Sequence, residues 1–282
     1  MFVPKRSSLR YRIDRGDYLG VIWLSLGSVA VTEIAARARP DAVVLDLQHG
    51  LWERQTVEAA IGAVPPEIPV LVRVAENSPF AIGQALDAGA EGVIVPLIES
   101  RRQAMRAVKA ARYPPRGERS GGGARPLADY VEYHAAAERG IIVAVMVETA
   151  KGLKNAKKIA ATEGVDLVFI GTGDLALSLG TFPQMEARLE DACRDILAAC
   201  RSRWTPCGIF TTSADGAAKR RAQGYRLTVV ADDISLIGRG LAAATSAFAT
   251  RDEKRIEARS SAPMPASPSA DEAFSAANET GS

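Results

Sequence analysis

The sequence predicts an α/β protein folded as a TIM-type (β/α)₈ barrel, and three observations carry that reading. Strand-like apolar runs alternate with helix-patterned segments from near the start of the 282 residues to near their end. Eight such units in roughly 250 residues are what a (β/α)₈ barrel requires. The runs are apolar almost throughout, as parallel strands buried on both faces are. Acidic residues stand just past the ends of several runs, on the face where such barrels collect their functional groups.

The strands are expected at Leu19–Leu26, Ala42–Leu47, Val70–Val74, Gly92–Pro96, Ile141–Val147, Asp166–Ile170, Cys207–Phe210 and Leu227–Ala231. The first is followed by Gly27-Ser28 without a G-x-G-x-x-G turn, which argues against the rival doubly wound sheet. Helical patterns follow most strands, at Thr56–Ala63, Phe80–Ala88, Arg101–Ala111, Leu153–Ala161, Met185–Arg203, Ala214–Gln223 and Ser235–Ala249. The longest irregular stretch runs from Tyr113 to Pro126, where Gly and Pro exclude regular structure. It lies between strands four and five and is expected to overhang the active-site face. Residues 1–255 are expected to form one barrel domain. Residues 256–282, rich in Ser, Ala and Pro, are expected to be a disordered tail with at most a short helix near Asp271–Ala277.

Composition narrows the function classes. A net charge of +2 offers no strong basic field for nucleic acid, and Lys219-Arg220-Arg221 reads as a solvated helix face. No apolar run reaches the roughly 18 residues of a membrane helix, so no membrane partner is expected. The basic stretch Met1 to Arg15 has no apolar core of a secretory signal. Three cysteines, Cys193, Cys200 and Cys207, make a disulfide framework unfavoured, and the first two read as core residues of one helix face. A reducing cytoplasm fits.

The strand ends supply a coherent chemical kit. Glu148 closes one run and Asp174 follows another, and two carboxylates on neighbouring strand ends can hold one hard divalent cation with positions left open. Asp46 and His49 end strand two. The imidazole suits proton transfer near neutral pH. Arg73 ends strand three, ready to polarise a carbonyl or clamp a carboxylate. Asp87 sits near a helix C-terminus, where the dipole disfavours an acid, so a specific partner such as His49 or an arginine is expected. Gly171-Thr172-Gly173 offers backbone N–H groups to an anion. His134 reads as structural, in a helical segment.

Taken in order, the segments Val44-Leu45-Asp46-Leu47-Gln48-His49-Gly50, Pro69 to Val74, Ala85 to Pro96, Ala111 to Ser120, Val147-Glu148-Thr149 and Gly164 to Ala176 resemble the HpcH/HpaI aldolase family, relatives of the citrate lyase β-subunit and the macrophomate synthases. The resemblance covers residues 15 to 250. It implies a barrel of the phosphoenolpyruvate/pyruvate-binding type and a metal-dependent class II aldolase, a carbon–carbon lyase. It also implies a homo-oligomer, a hexamer or trimer, with C-terminal helices exchanged between neighbours. By the resemblance, Glu148 and Asp174 ligate Mg²⁺, Mn²⁺ or a similar ion such as Co²⁺, and Arg73 touches the keto oxygen of bound pyruvate. His49 is the base, paired with Asp46 or with Asp87 of this or a neighbouring subunit. Gly171, Thr172, Gly173 and Gln48 line the substrate, a small 2-oxo acid (pyruvate or oxaloacetate) that reacts with an aldehyde.

Departures from the family pattern bear on the second substrate. Gln48 stands where many members have glutamate, Met146 where glutamine is common, and Gly173 where proline or alanine-like residues are common. The Ser120-to-Pro126 loop also differs from the sugar-acid aldolases. A second enzyme reading is therefore a citrate synthase-like or CoA-ester lyase enzyme acting on oxaloacetate, as in siderophore pathways. Arg116, Arg119 and Arg125 would then serve the larger anion. A third reading is a non-catalytic barrel that binds a small acid.

Overall fold

The structure, a computed structural model, describes residues 8–184 and 187–260, the stretch 250–260 by its backbone alone. Eight parallel strands close a barrel in sequence order: β1 (Leu19–Leu24), β2 (Ala42–Asp46), β3 (Val70–Arg73), β4 (Gly92–Val95), β5 (Ile142–Val147), β6 (Leu167–Ile170), β7 (Cys207–Ile209) and β8 (Leu227–Asp232). Closure is made by β1, which pairs with both β2 and β8. The helices are α1 (Leu9–Asp14), α2 (Val29–Arg37), α3 (Arg54–Ala63), α4 (Pro79–Asp87), α5 (Arg101–Ala111), α6 (Ala124–Ala128), α7 (Tyr130–Gly140), α8 (Ala150–Ala160), α9 (Thr172–Leu179), α10 (Ala187–Arg201), α11 (Ala214–Gln223) and α12 (Asp233–Ser260).

Two apolar layers explain why the strand sequences do not alternate. Successive side chains of a strand point to opposite faces. Val21, Val44, Leu71, Ile94, Ala144, Met146 and Phe169 belong to one buried cluster, the barrel interior. Their neighbours Val43, Leu45, Val72, Val93, Val95 and Val143 pack with Ile82, Leu86, Ile159 and Ile196 of the surrounding helices. Both faces are dry, so the runs read as continuously apolar. Truncating an interior ring such as Phe169 to alanine costs about 3–5 kcal/mol.

All eight expected strands form, with ends shifted by one or two residues. Four helices, α1, α2, α6 and α9, go beyond the sequence reading, and α7 extends the helical segment expected around His134. α1 sits in the basic N-terminal stretch, yet Leu9 and Ile13 join the interior cluster. α2 opens with the strand-like Val29-Ala30-Val31, but Ser28 caps it by accepting the Val31 N–H at 3.3 Å. α6 and α7 follow the Gly-rich stretch, and α9 starts inside the Gly-Thr-Gly turn. His134 lies in α7, stacked on Tyr113 with ring centroids 4.9 Å apart, in keeping with a structural role.

The Tyr113-to-Pro126 stretch does not overhang the face carrying the strand C-terminal ends. Strand β4 is followed there only by a short turn, and α5 then carries the chain back to the other end of the barrel before the stretch begins. Arg112 donates to the Ile141 carbonyl at 3.1 Å, at the start of β5. Arg125 donates to the carbonyls of Ala88 at 2.7 Å and Glu58 at 2.6 Å.

The described residues fall into two units, one ending at Leu236 and the other beginning at Ile237. Residues 256–260, expected in the tail, are helical in α12. The rest of that tail, with Asp271–Ala277, lies outside the described residues. Among the described residues no helix is long and apolar enough to cross a membrane.

Candidate active site

The inward register of the strands delivers polar groups to one rim. Ala42 and Val44 face the interior, and two residues on stands Asp46. Leu71 leads in the same way to Arg73, Ile142-x-Ala144-x-Met146 to Glu148, and Leu167-x-Phe169 to Gly171. Asp46 and Arg73 are directly paired in the β2–β3 register. The period of two therefore aims all four toward the axis at the C-terminal ends of β2, β3, β5 and β6.

Asp46 and Arg73 form a buried, two-pronged ion pair. Arg73 Nε donates to Asp46 Oδ1 at 2.7 Å, and Nη2 donates to Oδ2. Oδ1 also accepts the backbone N–H of Gln48 at 3.0 Å and of His49 at 3.3 Å. Oδ2 accepts from Trp23 Nε1 at 3.2 Å and Ser25 Oγ at 3.3 Å. Burial works to raise the Asp46 pKa, but the hydrogen bonds and charge of Arg73 outweigh it and hold the carboxyl below its ordinary value. Trp23 lies beneath the guanidinium, its ring centroid 5.0 Å from Cζ. Two of the three guanidinium nitrogens are thus committed, and Nη1 has no protein partner among the described residues.

Glu148 is the opposite case, a buried acid short of donors. It is 1% exposed. Its Oε1 accepts the Leu97 N–H at 2.7 Å, while the buried Oε2 has no partner. Asp174, in the first turn of α9, lies within hydrogen-bonding reach. Burial pushes the Glu148 pKa up to about 7, with the charge of Asp174 adding to the rise and the Leu97 N–H and Arg73 opposing it. A Cβ on Gly171 would collide with this same Oε2, so the residue type is fixed by close approach. Nothing comparable surrounds Gly173, whose missing side chain leaves open space. An orphaned buried oxygen beside a second carboxylate fits a cation better than it fits two bare acids. Among the described residues no cluster of three or more metal-ligating side chains forms.

The Asp46 network fixes the loop that carries Gln48 and His49. Gln48 leaves its buried Oε1 without a partner. The His49 side chain is exposed and has no hydrogen-bond partner among the described residues. Asp46 therefore holds the His49 backbone, not its imidazole, because its oxygens are taken up by Arg73. The expected pairing of the two side chains is corrected accordingly.

Asp87 is not at this rim within one chain. It ends α4, and Glu91, four residues on, donates its N–H to the Val70 carbonyl at the start of β3 at 2.9 Å, so it lies at the opposite end of the barrel. Its partner is Arg119, at 2.8 Å, and Arg119 also donates to Tyr133 Oη at 2.9 Å. The three arginines assigned to a larger anionic substrate are likewise engaged away from the rim. Arg116 pairs with Glu138 at 3.5 Å, and Arg125 binds two backbone carbonyls.

Comparison with known proteins fits this geometry. A family model described as HpcH/HpaI aldolase/citrate lyase matches residues 20–238. The chain belongs to that family. Among HpcH/HpaI relatives, a hydroxypyruvate/pyruvate aldolase of Paraburkholderia phytofirmans is 35% identical over 238 residues, covering 80% of this chain and 91% of the relative. A 4-hydroxy-2-oxovalerate aldolase of Rhodococcus jostii is 35% identical, covering 80% and 90%. A family structure from Burkholderia cenocepacia superposes with a TM-score of 0.80 at 33% identity, covering 85% of this chain and 98% of that one. The citrate synthase SbnG superposes with a TM-score of 0.78 at 29% identity, covering 88% and 99%.

Several supporting residues of this HpcH/HpaI site escape sequence reasoning. Trp23 and Ser25 read as strand filler, although they stand on the inward register. Asp233 accepts the backbone N–H groups of Ser25 at 3.0 Å and Leu26 at 2.9 Å, tying the end of β8 to the end of β1. The acidic pair Asp232-Asp233 after an apolar run carried the same signal as Asp46. Leu97 adopts a left-handed φ of 57° to aim its N–H at Glu148. Such a conformation costs a non-glycine residue about 1–3 kcal/mol, and no sequence pattern marks it.

Proposed function

We propose that this chain is a metal-dependent class II aldolase, a carbon–carbon lyase that makes or breaks the bond between a pyruvate-type 2-oxo acid and an aldehyde. The observation that carries the proposal is the unpartnered, buried Oε2 of Glu148 beside Asp174. Aldolase relatives covering four-fifths of the chain support the reaction class.

Glu148 and Asp174 would hold a divalent cation, Mg²⁺ or Mn²⁺ with Co²⁺ as a further option, since two carboxylates form a hard, open donor set. When bound, the cation supplies Lewis-acid polarisation of the keto and carboxylate oxygens. Arg73 directs Nη1 toward the keto oxygen, where negative charge develops as the C3 carbanion delocalises. Asp46 and Trp23 keep that guanidinium in place. The backbone N–H groups at the start of α9 receive the substrate carboxylate, and the open space at Gly173 admits it. Gln48 presents an unpaired acceptor to a substrate hydroxyl. His49, exposed and free, takes the C4 hydroxyl proton in the cleavage direction, directly or through water.

A homo-oligomer, hexamer or trimer, is part of the proposal. The exposed apolar residues Ile234, Ile237, Leu241 and Phe248 of α12 support it. A cytoplasmic setting is supported by three cysteines that are all free and buried.

The test is deuterium exchange at the methyl group of pyruvate in D₂O, followed by NMR with Mg²⁺ or Mn²⁺ and again in EDTA. Metal-dependent exchange is expected. Bound metal without exchange would sink the pyruvate reading. The likeness to citrate synthase SbnG favours one alternative, condensation of oxaloacetate with an acyl-CoA. Turnover that strictly requires CoA would select it.

A further inference from the structure

Two neighbouring helices carry a single sign of charge. α5 presents Arg101, Arg102, Arg106 and Lys109, and α8 presents Lys151, Lys154, Lys157 and Lys158, with no Asp or Glu in either helix. All eight side chains are exposed. The whole chain is nearly balanced at +2, so these cations are segregated rather than part of a basic protein. Among the described residues only Lys151 of the eight has a carboxylate partner, Glu99 at 2.9 Å.

A cavity of about 290 Å³ lies along α5 and the turn that follows α8. Four cations line it, Arg101, Lys109, Arg112 and Arg116, against one acid, Glu163. Met105 and Val108 add an apolar patch. Arg101, Met105, Lys109 and Arg112 recur at helical spacing, so one stripe of α5 runs on into the buried guanidinium. That guanidinium is 7% exposed. Its Nη2 donates to the Ile141 carbonyl at 3.1 Å and to Asp166 at 3.5 Å, while its buried Nη1 has no partner. Arg10 shares the Asp166 carboxylate at 2.7 Å and has Asp14 as a second partner at 3.7 Å.

We propose that this groove binds a small phosphate-bearing anion at a site separate from the catalytic rim. The lysine and three arginines that line it match a multiply charged oxyanion, for which the guanidinium fork is the better partner. The volume is at the lower end for ligand pockets and suits a small molecule rather than a polymer. An extended polyanion would engage the whole exposed face of α5 and α8 rather than this groove.

The experiment is calorimetric titration of the full chain with inorganic pyrophosphate in EDTA, at ionic strength held constant with chloride. Saturable binding is expected. The double variant Arg101→Glu/Lys109→Gln changes two exposed side chains, and glutamate at the start of a helix is favourable. It should keep the parent melting temperature and metal-dependent pyruvate exchange while losing at least about tenfold in pyrophosphate affinity, or roughly 1.4 kcal/mol. Absence of saturable binding, or equal affinity in the parent and the double variant, overturns the proposal. Binding to anionic vesicles or duplex DNA without binding of pyrophosphate also overturns it, in favour of a macromolecular partner. Because the titration is run without metal, it stands or falls independently of the aldolase reading.

Discussion

The two ends of the barrel both bury arginine–carboxylate pairs, yet they leave opposite groups unpaired. At the C-terminal rim, Arg73 and Asp46 satisfy each other, and the orphaned buried atoms are acceptors, Glu148 Oε2 and Gln48 Oε1. At the other end, Arg119 pairs with Asp87, and Arg10 and Arg112 share Asp166. The orphans there include donors, Arg119 Nε and Nη1, Arg112 Nη1 and Arg10 Nε. Tyr113, 4.7 Å from Arg119 Cζ, covers part of that deficit with its ring. Leaving a buried polar group unpaired costs about 1–3 kcal/mol. The rim is short of donors, and the far end is short of acceptors.

The largest expected effect tests the rim. Glu148→Ala or Asp174→Ala should abolish metal-dependent pyruvate exchange, measured by NMR, and bring metal affinity by calorimetry below detection. A double variant fully active in chelator would break the comparison. Arg73→Lys keeps the charge but loses the fork, and kcat should fall on the order of 10²–10³-fold. Removing its partner in Asp46→Ala strands a buried guanidinium and should also cost about 3–5 kcal/mol in urea unfolding.

Acidity sharpens the contrast next. Glu148 is raised from 4.5 to about 7 in the folded, metal-free protein. Between these values the native state holds a proton that the unfolded chain has released. Its contribution to stability is therefore complete below pH 4.5 and lost as pH rises through 7. The shift corresponds to at most about 3 kcal/mol, visible in metal-free denaturation curves and removed in Glu148→Gln. Metal affinity should run the other way and rise through pH 7, since ligation needs the carboxylate.

Glycine substitutions separate close approach from open space. Gly171→Ala should weaken metal binding by tenfold or more, because the new methyl meets Glu148 Oε2. Gly173→Ala should leave metal binding and melting temperature unchanged and act on the KM for the 2-oxo acid. The smallest effect is expected for His49→Ala, which should retain partial pyruvate exchange while slowing aldol cleavage in a coupled assay.

Much of the rim was legible because it obeys a simple rule. An acid or arginine that ends a wholly apolar run has few other places to go, and Asp46, Arg73 and Glu148 all follow it. Within one chain Asp87 lies away from the rim, because its place on a helix does not by itself say which end of the barrel that helix reaches, and a rim role for it rests on a neighbouring subunit. The Tyr113-to-Pro126 stretch, with Arg116, Arg119 and Arg125, lies away from the same chain's rim for the same reason. Helix α9 was hidden because Gly-Thr-Gly is equally a loop and a helix start whose first N–H groups remain free.

The sequence by itself determined the barrel, the order of its strands and the identity of the rim acids, since strand periodicity and burial are local properties that alternate with fixed spacing. Only the tertiary structure decided which groups are satisfied. That Asp46 anchors Arg73 and not the His49 imidazole, that Leu97 turns its N–H onto Glu148, and that donors collect at one end while acceptors collect at the other depend on atoms brought together from distant strands. Hydrogen-bond satisfaction is a property of contact geometry at the ångström scale, and residue order does not encode it directly.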